Sequence, residues 1–254
     1  MAEGIAERRI FAEGLADSAR TILQAYFRTA LKVDSKAALS PIVTQADREV
    51  EEKLRAQIAK TFPDDGIFGE EFSDKPATGD YTWILDPIDG TIAFATGKPL
   101  FGTLIALVDK ADTPLLGIID NPILEERWLG INGEATTLNG APCRVSGVKN
   151  IADASLATTS PTLLTEAHAA AAFAKAAEKA RIVTYGGDCY NYALLAAGHI
   201  DMVIESGLNW WDVAALLPVV RGAGGVVESL DGTPLKNGAE SYSIIAAADA
   251  ALIP

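Results

Sequence analysis

Cysteine and histidine are scarce: Cys143 and Cys189 stand far apart with no Cys-x-x-Cys pair, and His168 and His199 are the only histidines. That scarcity excludes a disulfide framework and a thiolate- or imidazole-based zinc site, so both thiols are expected to be reduced packing residues. No run of about eighteen apolar residues occurs, and Glu3, Glu7, Arg8 and Arg9 crowd the N-terminal stretch where a signal peptide would be apolar. The expectation is a soluble, cytoplasmic chain with no membrane partner. Positive charge is also in short supply, 21 basic against 34 acidic residues for a formal net charge of −13, which argues against nucleic acid and anionic membranes as partners. The same charge would repel a small anion unless bound cations reversed the sign locally. Internal repeats are absent, and the one biased tract is an Ala-rich stretch at 165–180. With 49% hydrophobic content, 254 residues can bury a sizeable core, as one compact unit or two fused halves.

The most informative stretch is Trp83-Ile84-Leu85-Asp86-Pro87-Ile88-Asp89-Gly90-Thr91. Three apolar residues read as a buried strand, and Pro87, which has no N–H, predicts that the ladder stops and the chain turns at Asp86. Gly90 permits tight backbone geometry, and Thr91 opens the short apolar segment Ile92-Ala93-Phe94, so backbone N–H groups should point outward beside the two acids. Cation ligands and anion donors would then lie together, an arrangement suited to a metal-bound phosphate. Taken alone, Asp-Pro-Ile-Asp-Gly is also an ordinary turn.

Around this stretch, residues 3–31 carry Ile10, Leu15, Ala19, Ile22 and Tyr26 at helical spacing and predict a long amphipathic helix. A polar link over 34–41 leads to a second helix, opened by Thr44 with Asp47 three residues on, whose apolar face reads Val50, Leu54, Ile58. Asp47 falls on or near that inward face, where capping is the simplest reason for a charge. Residues 67–72 are strand-like and include the adjacent acids Glu70 and Glu71. Segments 104–108, 115–119 and 127–131 read as consecutive antiparallel strands. A composition change near 145 suggests two halves, 1–145 with the Asp86 stretch and 146–254. In the second, strands at 154–159, 181–184 and 202–205 alternate with helices at 165–180, 188–197 and 212–220, and short strands follow at 226–227 and 244–245.

Together, Gly69-Glu70-Glu71, the Asp86 to Thr91 stretch, and Trp211-Asp212 followed by Gly222-Ala223-Gly224-Gly225 resemble the inositol monophosphatase superfamily of metal-dependent phosphatases. The resemblance implies an α+β fold, an αβαβα layered sandwich of two α+β halves with the cleft between them. It also implies a small-molecule phosphate ester as substrate, inhibition by Li⁺, a homodimer, and two or three Mg²⁺ ions, with Mn²⁺ a substitute. Carried over by residue, Glu70, Asp86 and the Ile88 carbonyl would hold a first metal, and Asp86, Asp89 and Asp212 a second. Four converging carboxylates would otherwise repel one another. The chemistry implied is in-line attack by a metal-activated water, with Glu70 and the Thr91 hydroxyl, oriented by Asp47, activating it and the Gly90 and Thr91 amides binding phosphate.

Within the superfamily, residues 187–199, 97–103 and Glu126-Arg127-Trp128 resemble the histidinol-phosphate phosphatase branch. That comparison puts Asp188 and Glu205 where the leaving alcohol binds, and two acids there favour an amine-bearing alcohol over neutral inositol. Each acid has a plainer reading, Asp188 as a cap of its helix and Glu205 as a residue that inositol-preferring relatives carry too. The branch often carries a basic residue after the Asp-Pro-Ile-Asp-Gly-Thr motif, where this chain has Ile92. Lys36 matches a position that helps arrange the catalytic loop in relatives. Competing readings are a myo-inositol-1-phosphate phosphatase and a non-catalytic regulator that binds metal and phosphate on the same scaffold.

Overall fold

Small side chains order the first layer. Helix α1 (Glu3–Tyr26) buries Ala12, Leu15, Ala16, Ala19 and Leu23 at helical spacing. This stripe is offset from the expected one, and Ile10 is 74% exposed. Alanines line the buried face because they let the helix axis come close to its neighbours, at the cost of a weaker apolar signal in the sequence. The helix ends at Tyr26, short of residue 31. The chain, a computed structural model, is described over residues 3–29, 33–35 and 42–253, with side chains over 4–29 and 45–253. Lys36 and the Thr44 side chain lie outside these described residues. The expected polar link begins within β1 (Val33–Ser35), which pairs antiparallel with β2 (Ile42–Thr44) just beyond the link. Helix α2 (Gln45–Thr61) buries Val50, Leu54 and Ile58 as expected, and with them Asp47 and Glu51.

A seven-stranded sheet follows in sequence order: β3 (Gly66–Gly69), β4 (Tyr81–Asp89), β5 (Gly102–Asp109), β6 (Pro114–Asn121), β7 (Glu126–Ile131), β8 (Thr137–Leu138) and β9 (Ala141–Pro142). Only β3 and β4 run parallel; the remainder is the antiparallel meander read from the sequence. One expectation is corrected here. Strand β4 does not stop at Asp86 but continues to Asp89, which faces Gly102, through a register irregularity after the Asp86 to Leu104 pair. A proline is tolerated because β3 ends opposite Leu85 on one side and the irregularity relaxes the ladder on the other. Thr103 Oγ1 donates to the Pro87 carbonyl at 2.8 Å and fixes the bulged segment. The carboxylates of Asp86 and Asp89 thus leave a strand end held by its neighbour. Helix α3 (Thr91–Ala95) follows, entered through Gly90 at φ 94°.

The second sheet takes the order β11 (Ile182–Tyr185), β10 (Ser155–Thr158), β12 (Met202–Leu208), β14 (Tyr242–Ala247), β13 (Val226–Ser229). Helix α4 (Ala167–Ala177) packs on β12, while α5 (Cys189–Ala196), α6 (Trp210–Val213) and α7 (Leu216–Gly222) lie between the sheets. With α1 and α2 against the first sheet, the layers are αβαβα, as expected. The core between the sheets joins Ile84 and Trp128 of the first sheet to Leu217, Val203 and Tyr242. The single helix expected from 212 to 220 is two short ones. Gly117 and Gly130 let α7 lie directly on the first sheet: a Cβ would sit 2.2 Å from the Ala215 carbonyl oxygen at Gly117 and 2.4 Å from the Pro218 carbonyl at Gly130. That close seating sets where α6, and so Asp212, meets β4. Among the described residues no helix is long and apolar enough to cross a membrane.

Candidate active site

Asp86, Asp89 and Asp212 bring carboxylate oxygens within 4.8 Å of one another, two from the end of β4 and one from α6. Asp86 is buried, and its Oδ1 has no hydrogen-bond partner. Burial first, then the charges of Glu70, Asp89 and Asp212, hold the Asp86 carboxyl well above the usual carboxylate range. Asp212, its carboxylate beside that of Asp86, adds to the repulsion that favours the protonated form of Asp86. Asp89 is raised likewise by burial and by Asp188, Asp212 and Glu205, and its Oδ2 accepts the Cys189 N–H at 2.5 Å. Asp212 is not the N-cap of its helix. It lies on the third residue and reaches back to accept the Asn209 N–H at 2.6 Å.

Glu70 approaches this cluster from the end of β3, and its charge is among those that raise Asp86. Its turn is clamped from beneath. Glu51, buried on α2, accepts the Glu71 N–H at 2.8 Å and pairs with Arg55 at 2.7 Å. Arg55 in turn donates to the Phe72 and Ser73 carbonyls, each at 3.0 Å. Gly69 is required there, since a Cβ would sit 2.3 Å from Glu51 Oε1. Thr91 is buried, with its hydroxyl donating to the Ile88 carbonyl at 3.0 Å. Asp47 is buried in the first turn of α2.

A second group of acids lines the adjoining pocket, about 440 Å³ and open to solvent, whose walls include Asp89, Thr159, Asp188, Tyr192, Glu205 and Asp212. Leu163, Leu164 and Leu208 give it an apolar side. Asp188 stands at the N-cap position of α5, yet its side chain makes no capping bond, which removes the simple capping explanation. Its carboxylate lies over Gly90 instead, where a Cβ would be 3.1 Å from Asp188 Cγ. Burial and Asp212 push Asp188 up to about 6, partly offset by Lys98. Burial pushes Glu205 up to about 7, against hydrogen bonds from Thr159 and Tyr192 that favour its charged form.

These two shifts set a pH dependence in metal-free protein. Each acid keeps its proton in the fold at pH values where the unfolded chain, at 3.8 and 4.5, has released it. The stability they contribute is complete below about pH 4 and lost as pH rises through 6 to 7. The Tm of chelator-treated protein is therefore expected to fall by roughly 5 °C between about pH 5 and pH 8, and by less in Mg²⁺. A flat profile by scanning calorimetry contradicts this.

The acids singled out from sequence, Glu70, Asp86, Asp89, Asp212, Asp188 and Glu205, are thus linked by contact or by mutual charge in one cleft. Sequence reasoning passed over Thr159, Tyr192 and the Glu51–Arg55 pair. Thr159 is the last residue of the segment 154–159, which reads only as a strand, and Glu51 lies among the charged residues of the second helix. The one available signal was that Glu51 lies one turn after Asp47 on the inward face.

A model of the inositol monophosphatase family matches residues 5–253. The chain is 44% identical over 243 residues, 92% of its length and 69% of the relative's, to "Bifunctional phosphatase IMPL2, chloroplastic" of Arabidopsis thaliana. It is 36% identical to a histidinol-phosphatase of Mycobacterium tuberculosis, with 92% of each chain covered. Among solved structures, an inositol monophosphatase from Zymomonas mobilis superposes with a TM-score of 0.86 at 44% identity, covering 98% of this chain and 95% of that one.

Proposed function

The chain belongs to the inositol monophosphatase family, and from that premise we propose that its acidic cleft is the active site of a Mg²⁺-dependent phosphatase that converts L-histidinol phosphate to L-histidinol and phosphate. The donor set fits a hard divalent cation: the ligand atoms are oxygens, they converge, and the buried Asp86 Oδ1 has no other partner. Glu70, Asp86 and the Ile88 carbonyl would hold one ion, and Asp86, Asp89 and Asp212 another. When bound, Mg²⁺ supplies Lewis-acid polarisation of the phosphoryl oxygens and a more acidic water.

The chain's own groups divide the remaining work. The Gly90 and Thr91 amides, at the start of α3, bind phosphate oxygens. Glu70 takes the proton of the attacking water, and the Thr91 hydroxyl, turned from the Ile88 carbonyl it meets here at 3.0 Å toward Asp47, holds that water. Asp188 and Glu205 face the leaving alcohol. With Asp188 near 6 and Glu205 near 7, an approaching ammonium or imidazolium favours the charged form of both. The apolar side of the pocket suits the face of an imidazole ring. The observation that carries the histidinol reading is Asp188, whose carboxylate is spared from capping and set over the phosphate loop at Gly90.

A second reading, hydrolysis of myo-inositol 1-phosphate, is favoured by the 44% identity to the Zymomonas inositol monophosphatase and by Ile92, which is 57% exposed where the other branch often has a basic residue. Steady-state kinetics in Mg²⁺ separate the two. The proposal expects kcat/KM for histidinol phosphate to exceed that for inositol 1-phosphate by about tenfold or more. The reverse order overturns it.

A further inference from the structure

We propose that Thr159 is a positioning residue that ties Asp188 and Glu205 into a single unit for gripping the leaving alcohol. This rests on the reading of those two acids as the alcohol-binding groups. The backbone and hydroxyl of Thr159 are all engaged. Its N–H and its hydroxyl both donate to Glu205 Oε1, at 3.1 and 2.6 Å. Its Oγ1 accepts the Asp188 N–H at 3.0 Å, and its carbonyl accepts the Gly186 N–H at 2.9 Å. A hydroxyl has one proton and two lone pairs. Giving the proton to Glu205 leaves Oγ1 free to accept from Asp188, so one atom sets both acids.

The loop needs such an anchor. Gly186, Gly187 and Asp188 take φ of 85°, 118° and 47° in succession. Glycine adopts these values freely, whereas an L-residue with a Cβ is strained there and keeps the conformation only when its surroundings hold it. Gly187 has no room to change either, since a Cβ would lie 2.4 Å from Asn191 Oδ1. Thr159 holds the loop at both ends, residue 186 through its carbonyl and residue 188 through its hydroxyl. The Cys189 N–H to Asp89 bond then fixes the next residue to the metal-ligand cluster. On the other side, the Tyr192 hydroxyl donates to Glu205 Oε2 at 3.0 Å, so both oxygens of that acid are aimed. Without the Thr159 hydroxyl the Asp188 amide loses its acceptor and the loop can relax toward ordinary φ, carrying the carboxylate off Gly90.

The test compares Thr159→Val, which keeps the shape without the hydroxyl, with Thr159→Ser, which keeps the hydroxyl. In the Mg²⁺-loaded valine variant, KM for histidinol phosphate is expected to rise about tenfold while kcat falls less than about threefold. Serine should restore KM to within about threefold of wild type. The KM effect should shrink in an Asp188→Asn background to the part carried through Glu205, because Thr159 holds both acids. Amide hydrogen exchange at Asp188, measured without substrate, should accelerate at least about tenfold in the valine variant and not in the serine variant. Thr159→Ala serves in the same assays if the valine protein does not fold. Unchanged KM and unchanged exchange overturn the proposal, as does a serine variant that behaves like valine. Should wild type prefer inositol 1-phosphate, the substrate reading falls, and the exchange at Asp188 decides the role of Thr159.

Discussion

Asp89→Asn is expected to lower kcat/KM by at least ~10³-fold while leaving the fold intact. An amide oxygen can still accept the Cys189 N–H now held at 2.5 Å, so the link between β4 and α5 survives. What is lost is one carboxyl from a cluster whose acids raise one another, Asp89 among them through the charges of Asp188, Asp212 and Glu205. The substitution therefore has effects of opposite sign in the two states. Metal-free protein is expected to gain stability, because a buried repulsion is removed. Mg²⁺ affinity by titration calorimetry is expected to fall, and with it the rise in Tm on adding Mg²⁺. Turnover retained at saturating Mg²⁺ contradicts the ligand assignment.

The second large effect concerns substrate choice. Asp188→Asn removes charge with little change of shape, and asparagine is among the residues that best tolerate positive φ. For histidinol phosphate, kcat/KM is expected to fall about 10- to 30-fold, the worth of a close, desolvated charge pair. For inositol 1-phosphate the change should stay within about threefold, since no cation is present to lose its partner. Equal losses on both esters would make Asp188 a structural residue of the Gly186 to Cys189 loop. The two substitutions are expected to divide the cleft by function, Asp89→Asn slowing every ester and Asp188→Asn the cationic ones.

Much of this cleft was legible because its main elements are local. Asp86, Asp89, Gly90 and Thr91 lie within six residues, and the apolar run before them marks the strand that carries them. The helix from Gln45 was equally plain, since its apolar period matches its burial, and so was the meander from β4 to β7, whose apolar runs match strands buried on both faces. Less legible were features that depend on partners distant in sequence. Pro87 reads as a stop until the end of β3 and the irregularity against β5 show that pairing is already interrupted there, so the missing N–H is tolerated. The face of α1 was misplaced because alanines, chosen for close approach, carry little apolar signal. Asp212 joins Asp86 only through the seating of α7 on Gly117 and Gly130, a contact no local pattern announces. Thr159 has no local signature at all. Its importance comes from β10 lying beside both β11 and β12, which puts one hydroxyl between a strand carboxylate and a loop amide.

Phosphate release from histidinol phosphate by wild-type protein, in Mg²⁺ and again after chelation, tests the central claim most directly. The account predicts rapid release in Mg²⁺, loss of nearly all activity with chelator, and recovery when Mg²⁺ is restored. Release that is indifferent to chelation, or Mg²⁺ and phosphate binding with no ester hydrolysed, would contradict it.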